Sequence, residues 1–262
     1  MGTPFKNIAK TENGIVFLGE NIHLKSFEED YLNVREKEGR IFSDELVKML
    51  PRLPKAHPLH KEWLHRTDTQ IRFCKYLSSK KGTLLILDLG CGNGWFSMKM
   101  KSTSPKANIF SLDVNTLELQ QAAKVFPENQ IAFLHGDIFQ DIFKPASFEM
   151  IVLNSSLQYF PDFKLLMDRL FELLKNNGEI HLLDSPFYET VQNKKEARNR
   201  SRSYFSDMEV KQMIQHYHHH TFEDLQDFSY STLYNPNKIW NSLIRTLGQR
   251  VSIFPWIRIT KS

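Results

Sequence analysis

The 262-residue sequence contains only two cysteines, Cys74 and Cys91, and has no long uninterrupted run of apolar residues. Two cysteines at this separation supply neither a disulfide framework nor a zinc-ligand pattern. No apolar run approaches the roughly 18 residues of a membrane-spanning helix, and the first residues lack the apolar segment of a secretory signal. These absences predict a cytoplasmic globular protein with no membrane span.

Neither sign of charge is in large excess, since the formal net charge is only +4. Nucleic-acid binding normally requires basic residues concentrated on one face, which bulk charge does not show. Basic residues are most concentrated in the run from Lys194 to Arg202, a pattern that is typical of a solvated loop. If that run instead closes over a site, it favours an anionic ligand.

Four of the ten histidines fall within His216–His220. Adjacent residues cannot all face one ion, and no cysteine or carboxylate pattern completes a site. We therefore predict no metal.

Before about residue 80 the sequence predicts a short hairpin followed by helices. The hairpin would join residues 15–18 to residues 22–24 around Gly19. Ser26 with Glu29 forms a capping box that predicts a helix to about residue 38, and Ser43 predicts a second capped helix stopped by Pro51. A longer helix over residues 59–79 would bury Leu64, Ile71, Cys74 and Leu77.

From residue 84 onward, short apolar runs alternate with helical stretches, which predicts a parallel sheet covered by helices on both faces. The predicted strands are residues 84–87, 108–112, 131–135, 148–153 and 179–183. The helices between them are predicted at residues 95–101, 117–125 and 163–175, the last closed by residues 176–178. Towards the end, a capping box at Ser206 predicts a helix to residue 216, with strands over 222–230 and 251–259 and a helical insert at 239–247. Ligands of such sheets bind beyond the carboxyl ends of the strands.

A glycine-rich segment, residues 88–94 (DLGCGNG), follows the first of these strands. Glycines permit positive φ and let a ligand approach the backbone closely. A dinucleotide fingerprint would need a sixth-position glycine where Trp95 stands, and a phosphate-binding Walker loop would need Gly-Lys-Ser/Thr. Instead, Gly90, Gly92 and Gly94 recur at every second position behind Asp88.

This Asp88-x-Gly90-x-Gly92-x-Gly94 pattern resembles the first motif of class I S-adenosylmethionine-dependent methyltransferases. The resemblance covers about residues 84 to 183 and is nearest to the small-molecule, type 11-like group. It implies a Rossmann-like α/β fold with a seven-stranded, mostly parallel sheet whose last strand is antiparallel. It also implies S-adenosylmethionine as cofactor, with Gly90, Cys91, Gly92 and Gly94 lining its methionine part and Asp88 fixing the loop.

Further cofactor residues are expected at the ends of the following strands. Asp113 ends the second strand, where a carboxylate suits the two hydroxyls of a ribose, and Val114 would border the adenine. The resemblance implies that Asp137 and Ile138 hold the adenine and that Asn154 faces the methionine. Each acidic position could instead be a simple cap or turn residue.

Methyl transfer needs positioning more than a catalytic triad, and the sequence shows no triad. Tyr31, Arg35 and Tyr159 are weak candidates for substrate contact, and Trp63 with Arg66 forms a similar pair on the later helix. The segment at 154–157 is not the Asn/Asp-Pro-Pro-Tyr motif of adenine or glutamine methyltransferases.

The sequence thus predicts an N-terminal hairpin and helical cap over residues 1–80. A cofactor-binding domain would occupy residues 81–262, with a lid insertion around residues 185–220. The predicted activity is methyl transfer to a small molecule, which would be anionic if the basic run closes over the site. Two alternatives stay open, an RNA acceptor and a non-catalytic cofactor-binding protein.

Overall fold

A nine-stranded sheet forms the centre of the computed structural model, which describes residues 3–6, 8–19, 25–127, 131–238, 241 and 251–261. The strands in the described residues are β1 (Ile8–Glu12), β2 (Ile15–Leu18), β3 (Leu85–Leu89), β4 (Asn108–Asp113), β5 (Ile131–His135), β6 (Phe148–Asn154), β7 (Leu174–Leu183), β8 (Phe187–Tyr188), β9 (His220–Thr221), β10 (Tyr230–Tyr234) and β11 (Trp256–Thr260). The α-helices are α1 (Lys25–Lys37), α2 (Asp44–Met49), α3 (His60–Ser78), α4 (Trp95–Thr103), α5 (Thr116–Val125), α6 (Phe163–Leu173) and α7 (Val191–Asp207).

The strand order of the sheet is β1-β2-β5-β4-β3-β6-β7-β11-β10, and β8 pairs with β9 in a separate two-stranded ribbon. Strands β2, β5, β4, β3, β6 and β7 are all parallel, whereas β11 runs antiparallel to both β7 and β10. The predicted Rossmann-like fold with an antiparallel last strand is therefore confirmed. The hairpin β1–β2 extends the predicted seven strands to nine.

The central strands are buried on both faces, which is why they read as continuous apolar runs. In β3, every residue is buried, and successive side chains alternate between the two cores. Ile86 packs with α3 and α4 around Phe73, whereas Leu87 packs with α6 around Leu170. Helices on both faces thus hold the carboxyl ends of β3 to β7 along one edge. Within the described residues, no helix has both the length and the apolar character needed to cross a membrane.

The prediction of an N-terminal hairpin is wrong about which segment pairs with residues 15–18. Strand β2 pairs with β1, which precedes it, through a turn at Asn13 and Gly14, both with positive φ (51° and 79°). An Asn-Gly pair is the strongest short hairpin signal because such turns need left-handed backbone at both positions. Residues 22–24 lie outside the described residues. On its other side, β2 pairs in parallel with β5.

The N-terminal helices largely follow the prediction. Helix α1 begins at Lys25, so Ser26 lies within the helix and is not its cap, and the side chain of Ser43 caps α2 by accepting from the Leu46 amide (3.3 Å). In α3 the predicted apolar stripe is wrong at Ile71, which is 53% exposed. Phe73 is fully buried instead, because it packs against Phe96 and Trp256.

The basic run from Lys194 to Arg202 forms part of helix α7, so its interpretation as a loop is wrong. This helix buries only Ala197 and Phe205, which leaves little apolar periodicity to detect. Ser206 lies in its last turn, so the predicted helix over 206–216 is also wrong. A short 3₁₀ helix, Lys211–Gln215, follows.

The last strands are shifted relative to the prediction. Residues 222–230 form a 3₁₀ turn (Phe222–Leu225) before β10, and the predicted strand over 251–259 is β11, Trp256–Thr260. Strand β7 begins at Leu174, so residues 176–178 form an irregular start of the strand instead of a turn. The predicted insert at 239–247 lies almost entirely outside the described residues.

Candidate active site

The glycine loop between β3 and α4 adopts the backbone that its composition predicts. Gly90, Gly92 and Gly94 have φ of 76°, 52° and 74°, a region that side chains disfavour. At Gly90 an added Cβ would lie 2.4 Å from the Cβ of Ser156, the side chain of which donates a hydrogen bond to the Leu89 carbonyl (2.6 Å). The loop is therefore packed directly against the segment that follows β6.

Asp88 fixes the start of this loop through a hydrogen bond of its buried side chain. Its side chain is 1% exposed and accepts a hydrogen bond from Ser97 in α4 (2.5 Å), and Ser97 in turn accepts one from Ser111 (2.8 Å). Burial raises the pKa of Asp88 to about 7, although the Ser97 bond opposes this shift. Asp88 thus ties β3, α4 and β4 together at the base of the loop, as the resemblance to the family implied.

Asp113 links the loop to the end of β4. Its carboxylate accepts hydrogen bonds from the backbone amides of Gly92 (2.7 Å) and Asn115 (2.8 Å). Burial and the neighbouring Glu118 raise the pKa of Asp113 to about 6, despite these bonds. The buried carboxylate of Asp113 is well suited to accept hydrogen bonds from neutral hydroxyl groups.

A small cavity of about 110 Å³ lies beside Asp113. Five of the residues predicted for the cofactor line it, namely Gly90, Asp113, Val114, Asp137 and Ile138. Asp137 accepts a hydrogen bond from the Phe139 amide (3.0 Å), and Ile138 is buried. Apolar side chains complete the walls, among them Phe27, Leu112 and Phe160.

A larger cavity of about 690 Å³ lies beyond the glycine loop. The predicted residues that line it are Tyr31, Arg35, Asp88, Gly90, Cys91, Gly92, Asn154 and Tyr159, together with the pair Trp63 and Arg66. Gly94 lines neither of the two cavities and serves to begin α4.

The two cavities meet along a shared wall. Tyr31, Gly90, Ser155 and Tyr159 line both of them. The rings of Tyr31 and Tyr159 pack edge to face with centroids 5.6 Å apart, and burial raises the pKa of both phenols. One elongated ligand could therefore occupy both cavities across the glycine loop.

Charged side chains of both signs surround the large cavity. Glu118 accepts hydrogen bonds from Tyr31 (3.2 Å) and Arg35 (3.5 Å). Its carboxylate also lies against Gly92, where an added Cβ would be only 2.6 Å from one of its oxygens. Glu62, which also lines this cavity, pairs with Arg40 (2.7 Å) and Arg66 (3.4 Å). Each of these two carboxylates is thus paired with at least one guanidinium group.

Several buried polar atoms of this cavity have no hydrogen-bond partner within the part of the chain that the structure describes. The donors among them are Nε of Arg35, Nε of Arg66 and Nε1 of Trp63. The acceptors include Oδ1 of Asn154 and Oδ2 of Asp184. Buried polar groups are normally paired, so these atoms indicate a ligand that supplies both acceptors and donors.

Aromatic side chains from α7 and from the segment after the following 3₁₀ helix line the large cavity. They include Tyr204, Phe205 and Tyr217, and the Tyr204 hydroxyl donates to Glu38 (2.6 Å). Arg200 is the only arginine of the basic run that lines the cavity. We find no metal-binding group in the described residues, which include α7 and the histidines at 216–220. Such a group would need at least three histidine, cysteine or carboxylate side chains close together.

Sequence reasoning missed Glu118 and Asp184 as site residues. Glu118 belongs to a capping pattern, because its amide donates to the Asn115 side chain (2.9 Å), and that pattern marked only a helix start. Asp184 directly follows β7, so the rule about carboxyl ends of strands could have selected it.

The strand order, the glycine loop and the paired cavities define a Rossmann-like methyltransferase fold. Solved structures support this, with the YcgJ protein from Bacillus subtilis at a TM-score of 0.56 (15% identity, 74% of this chain and 97% of that one). The plantazolicin methyltransferase BpumL, crystallised with SAH, gives 0.54 (18% identity, 91% of this chain and 98% of that one).

Residues 80–236 match the family model of a methyltransferase domain, so the chain belongs to this family, the class I S-adenosylmethionine-dependent methyltransferases. Over 94 residues it is 38% identical to trans-aconitate 2-methyltransferase of Enterobacter sp. (strain 638). The matched segment makes up 36% of this chain and 36% of the relative. The matched segments span 35% to 42% of the first three curated relatives.

Proposed function

We propose that this protein transfers the methyl group of S-adenosylmethionine to a small anionic molecule bound in the large cavity. The observation that carries the proposal is the junction of the two cavities at Tyr31, Gly90, Ser155 and Tyr159. An adenosine in the small cavity and a methionine along the glycine loop would place the reactive methyl group at the edge of the large cavity.

The residues of both cavities fit this cofactor. Asp113 would accept hydrogen bonds from the ribose hydroxyls, and Asp137 from the adenine amino group, with Val114 and Ile138 against the ring. The methionine would lie along Gly90, Cys91 and Gly92 towards Asn154, the Oδ1 of which lacks a partner among the described residues. The acidic groups Asp88 and Glu118 suit its positive charges. The cofactor supplies a methyl group already activated by a sulfonium, so the chain has to bind, orient and desolvate.

The unpaired donors of the large cavity suit an anionic acceptor. A buried N–H without a partner costs roughly 1–3 kcal/mol, and the described part of the site contains three such donors on Arg35, Trp63 and Arg66. A carboxylate or phosphate would satisfy them, since guanidinium groups bind these anions with matched geometry. Trimethylated or other cationic acceptors would leave these donors unpaired.

The predicted division of the chain is kept as part of this proposal. Residues 1–80 form the cap, because α1 and α3 contribute Tyr31, Arg35, Trp63 and Arg66 to the cavity. Residues 81–262 form the cofactor-binding domain, and the insertion at 185–220 forms the lid through α7. A lid of this kind excludes water during methyl transfer.

Calorimetry with S-adenosylmethionine and S-adenosylhomocysteine tests the cofactor site. We expect both to bind the wild-type protein and to bind Asp113→Asn at least about tenfold more weakly, because the charge that accepts the ribose hydroxyls is lost. Asp168→Asn is the matched control, since this exposed carboxylate contacts only Lys164 in the described residues. Failure of the folded wild-type protein to bind either compound would end the proposal.

Transfer of tritium from labelled S-adenosylmethionine tests the activity and its alternatives. Labelling of small carboxylates or phosphates that drops in Arg66→Met supports the proposed acceptor class. Labelling of RNA alone would instead support the RNA alternative. A protein that binds both cofactor forms and labels nothing would be the non-catalytic alternative.

A further inference from the structure

Two residues with left-handed backbone lie side by side at the carboxyl ends of β6 and β7. Ser155 has φ of 59° and Asp184 has φ of 46°, and the Ser155 amide donates to the Leu183 carbonyl (2.9 Å). Residues with a Cβ disfavour this region. Such strain persists where the surrounding structure enforces it, and it clusters at functional sites.

The carboxylate of Asp184 lies at the large cavity. Asp184 is 5% exposed and lines that cavity beside Arg66. One oxygen, Oδ1, accepts a hydrogen bond from the Thr69 hydroxyl of α3 (2.6 Å). The other, Oδ2, is buried and has no partner in the described residues. Thr69 therefore fixes the orientation of the carboxylate and leaves one oxygen for a ligand.

An unpaired oxygen on a buried carboxylate calls for a hydrogen-bond donor. Burial also raises the pKa of Asp184, although Arg66 and the Thr69 bond oppose the shift. Raising the pKa of a carboxylate brings its basicity closer to that needed to accept a proton near neutral pH. In the proposed function, the methyl acceptor is the species that has to lose a proton when it is methylated at a hydroxyl or amino group.

We propose that Asp184 is the general base of the reaction, and that the acceptor is therefore a hydroxyl or amino group of a small anionic molecule. This inference rests on the function proposed above. The lone pair of the acceptor oxygen or nitrogen forms the new bond to the methyl carbon, and the carbon–sulfur bond breaks with its electron pair retained by sulfur. The proton of the acceptor passes to Oδ2 of Asp184, and neutral S-adenosylhomocysteine remains.

The position of Asp184 relative to α3 narrows the acceptor further. Trp63, Arg66 and Thr69 follow one another at three-residue spacing and thus share one face of α3. Thr69 holds Asp184, whereas Trp63 and Arg66 present unpaired N–H donors within the described structure. The nucleophile and the anionic group of the acceptor are thus expected to bind at neighbouring turns of α3.

The experiment compares wild type, Asp184→Asn and Thr69→Val, with Asp168→Asn as control. Binding of S-adenosylhomocysteine is measured by calorimetry. Transfer of tritium from S-adenosylmethionine is measured with a panel of hydroxy- and amino-carboxylates and the matching compounds without the hydroxyl or amino group. The pH dependence of kcat is then determined for the labelled acceptors. Asn keeps the acceptor for Thr69 in place, so Asp184→Asn preserves that contact.

Asp184→Asn should bind S-adenosylhomocysteine as the wild type does while kcat falls by about 10²- to 10⁴-fold. In the wild type, kcat should rise with pH through a pKa above the ordinary aspartate range. In Thr69→Val that rise should move to higher pH, because the hydrogen bond that is lost stabilises the ionised carboxylate. The charged groups of α3 that face Asp184 are Arg66, His65 and Asp68, and they are unchanged in all these variants.

Equal kcat in Asp184→Asn and wild type would overturn the inference, and so would labelling of acceptors that lack a transferable proton. Weaker S-adenosylhomocysteine binding in Asp184→Asn would also overturn it, since the residue would then serve the cofactor. In these cases the proposed function survives. A wild-type protein that binds the cofactor but labels no panel member refutes the acceptor class, whereas one that binds no cofactor refutes the proposed function itself.

Discussion

Substituting Gly90 by alanine is the most direct perturbation of the cofactor loop. Gly90 has φ of 76°, and its missing Cβ leaves room for Ser156, the Cβ of which lies 2.4 Å from the position that an alanine methyl would take. Ser156 cannot move freely, because its hydroxyl donates to the Leu89 carbonyl (2.6 Å). The substitution therefore strains both the loop and the segment after β6.

The size of the effect follows from four contributions, one of which opposes the other three. Left-handed backbone costs an alanine roughly 1–2 kcal/mol, of which the reduced freedom of the unfolded chain returns about 0.4–1 kcal/mol. Displacing Ser156 adds about 1–3 kcal/mol of overpacking and about 1 kcal/mol for its lost hydrogen bond. We therefore expect Gly90→Ala to lower the free energy of unfolding by about 3 kcal/mol and to weaken S-adenosylhomocysteine binding.

Gly82→Ala is the matched control, because Gly82 also has positive φ (88°) but no atom lies within 4 Å of the position that an alanine Cβ would take there. It carries the backbone cost alone, so we expect a loss of about 1 kcal/mol or less. Urea unfolding followed by circular dichroism measures both variants, and calorimetry measures binding. Equal stability losses in the two variants, or unchanged binding in Gly90→Ala, would refute the close packing of Gly90 against Ser156 as the cause.

Three further outcomes follow from other contacts. Phe73→Ala should lower the free energy of unfolding in urea by about 3–5 kcal/mol, because Phe73 is fully buried between the sheet and α4. Burial raises the pKa of Asp88 to about 7, so the unfolding free energy should fall as pH rises from about 4 to 7, and Asp88→Asn should flatten that slope. For Glu179, hydrogen bonds from His181, Lys80 and other neighbours outweigh burial and lower the pKa to about 2. Its stabilisation should be complete above about pH 4.5 and be lost as pH falls towards 2, and pH-dependent denaturation of Glu179→Gln should lack this loss.

The positions of the residues predicted for the cofactor could be read from local sequence. Strands buried on both faces read as short apolar runs, and their carboxyl ends identify Asp113, Asp137 and Asn154 directly. All three line the cavities. The glycine spacing specified the backbone of the loop, since only glycine adopts positive φ without cost at Gly90 and Gly92.

The large cavity was less predictable because it depends on contacts between distant segments. Asp184 is oriented by Thr69, and Glu118 is held by Tyr31 and Arg35, and no local pattern encodes either pairing. Helix α7 was missed for a different reason, because it buries only two residues and therefore lacks an apolar period.

The N-terminal hairpin has a consequence for how the chain reaches this fold. Ile15 pairs with Phe133, so β2 emerges from the ribosome long before its parallel neighbour β5 exists. Until then, only β1 is available to it, and an isolated two-stranded ribbon is marginally stable in water. The outer edge of the sheet should therefore be completed late, and amides of β2 should gain protection from hydrogen exchange after those of β3 and β4.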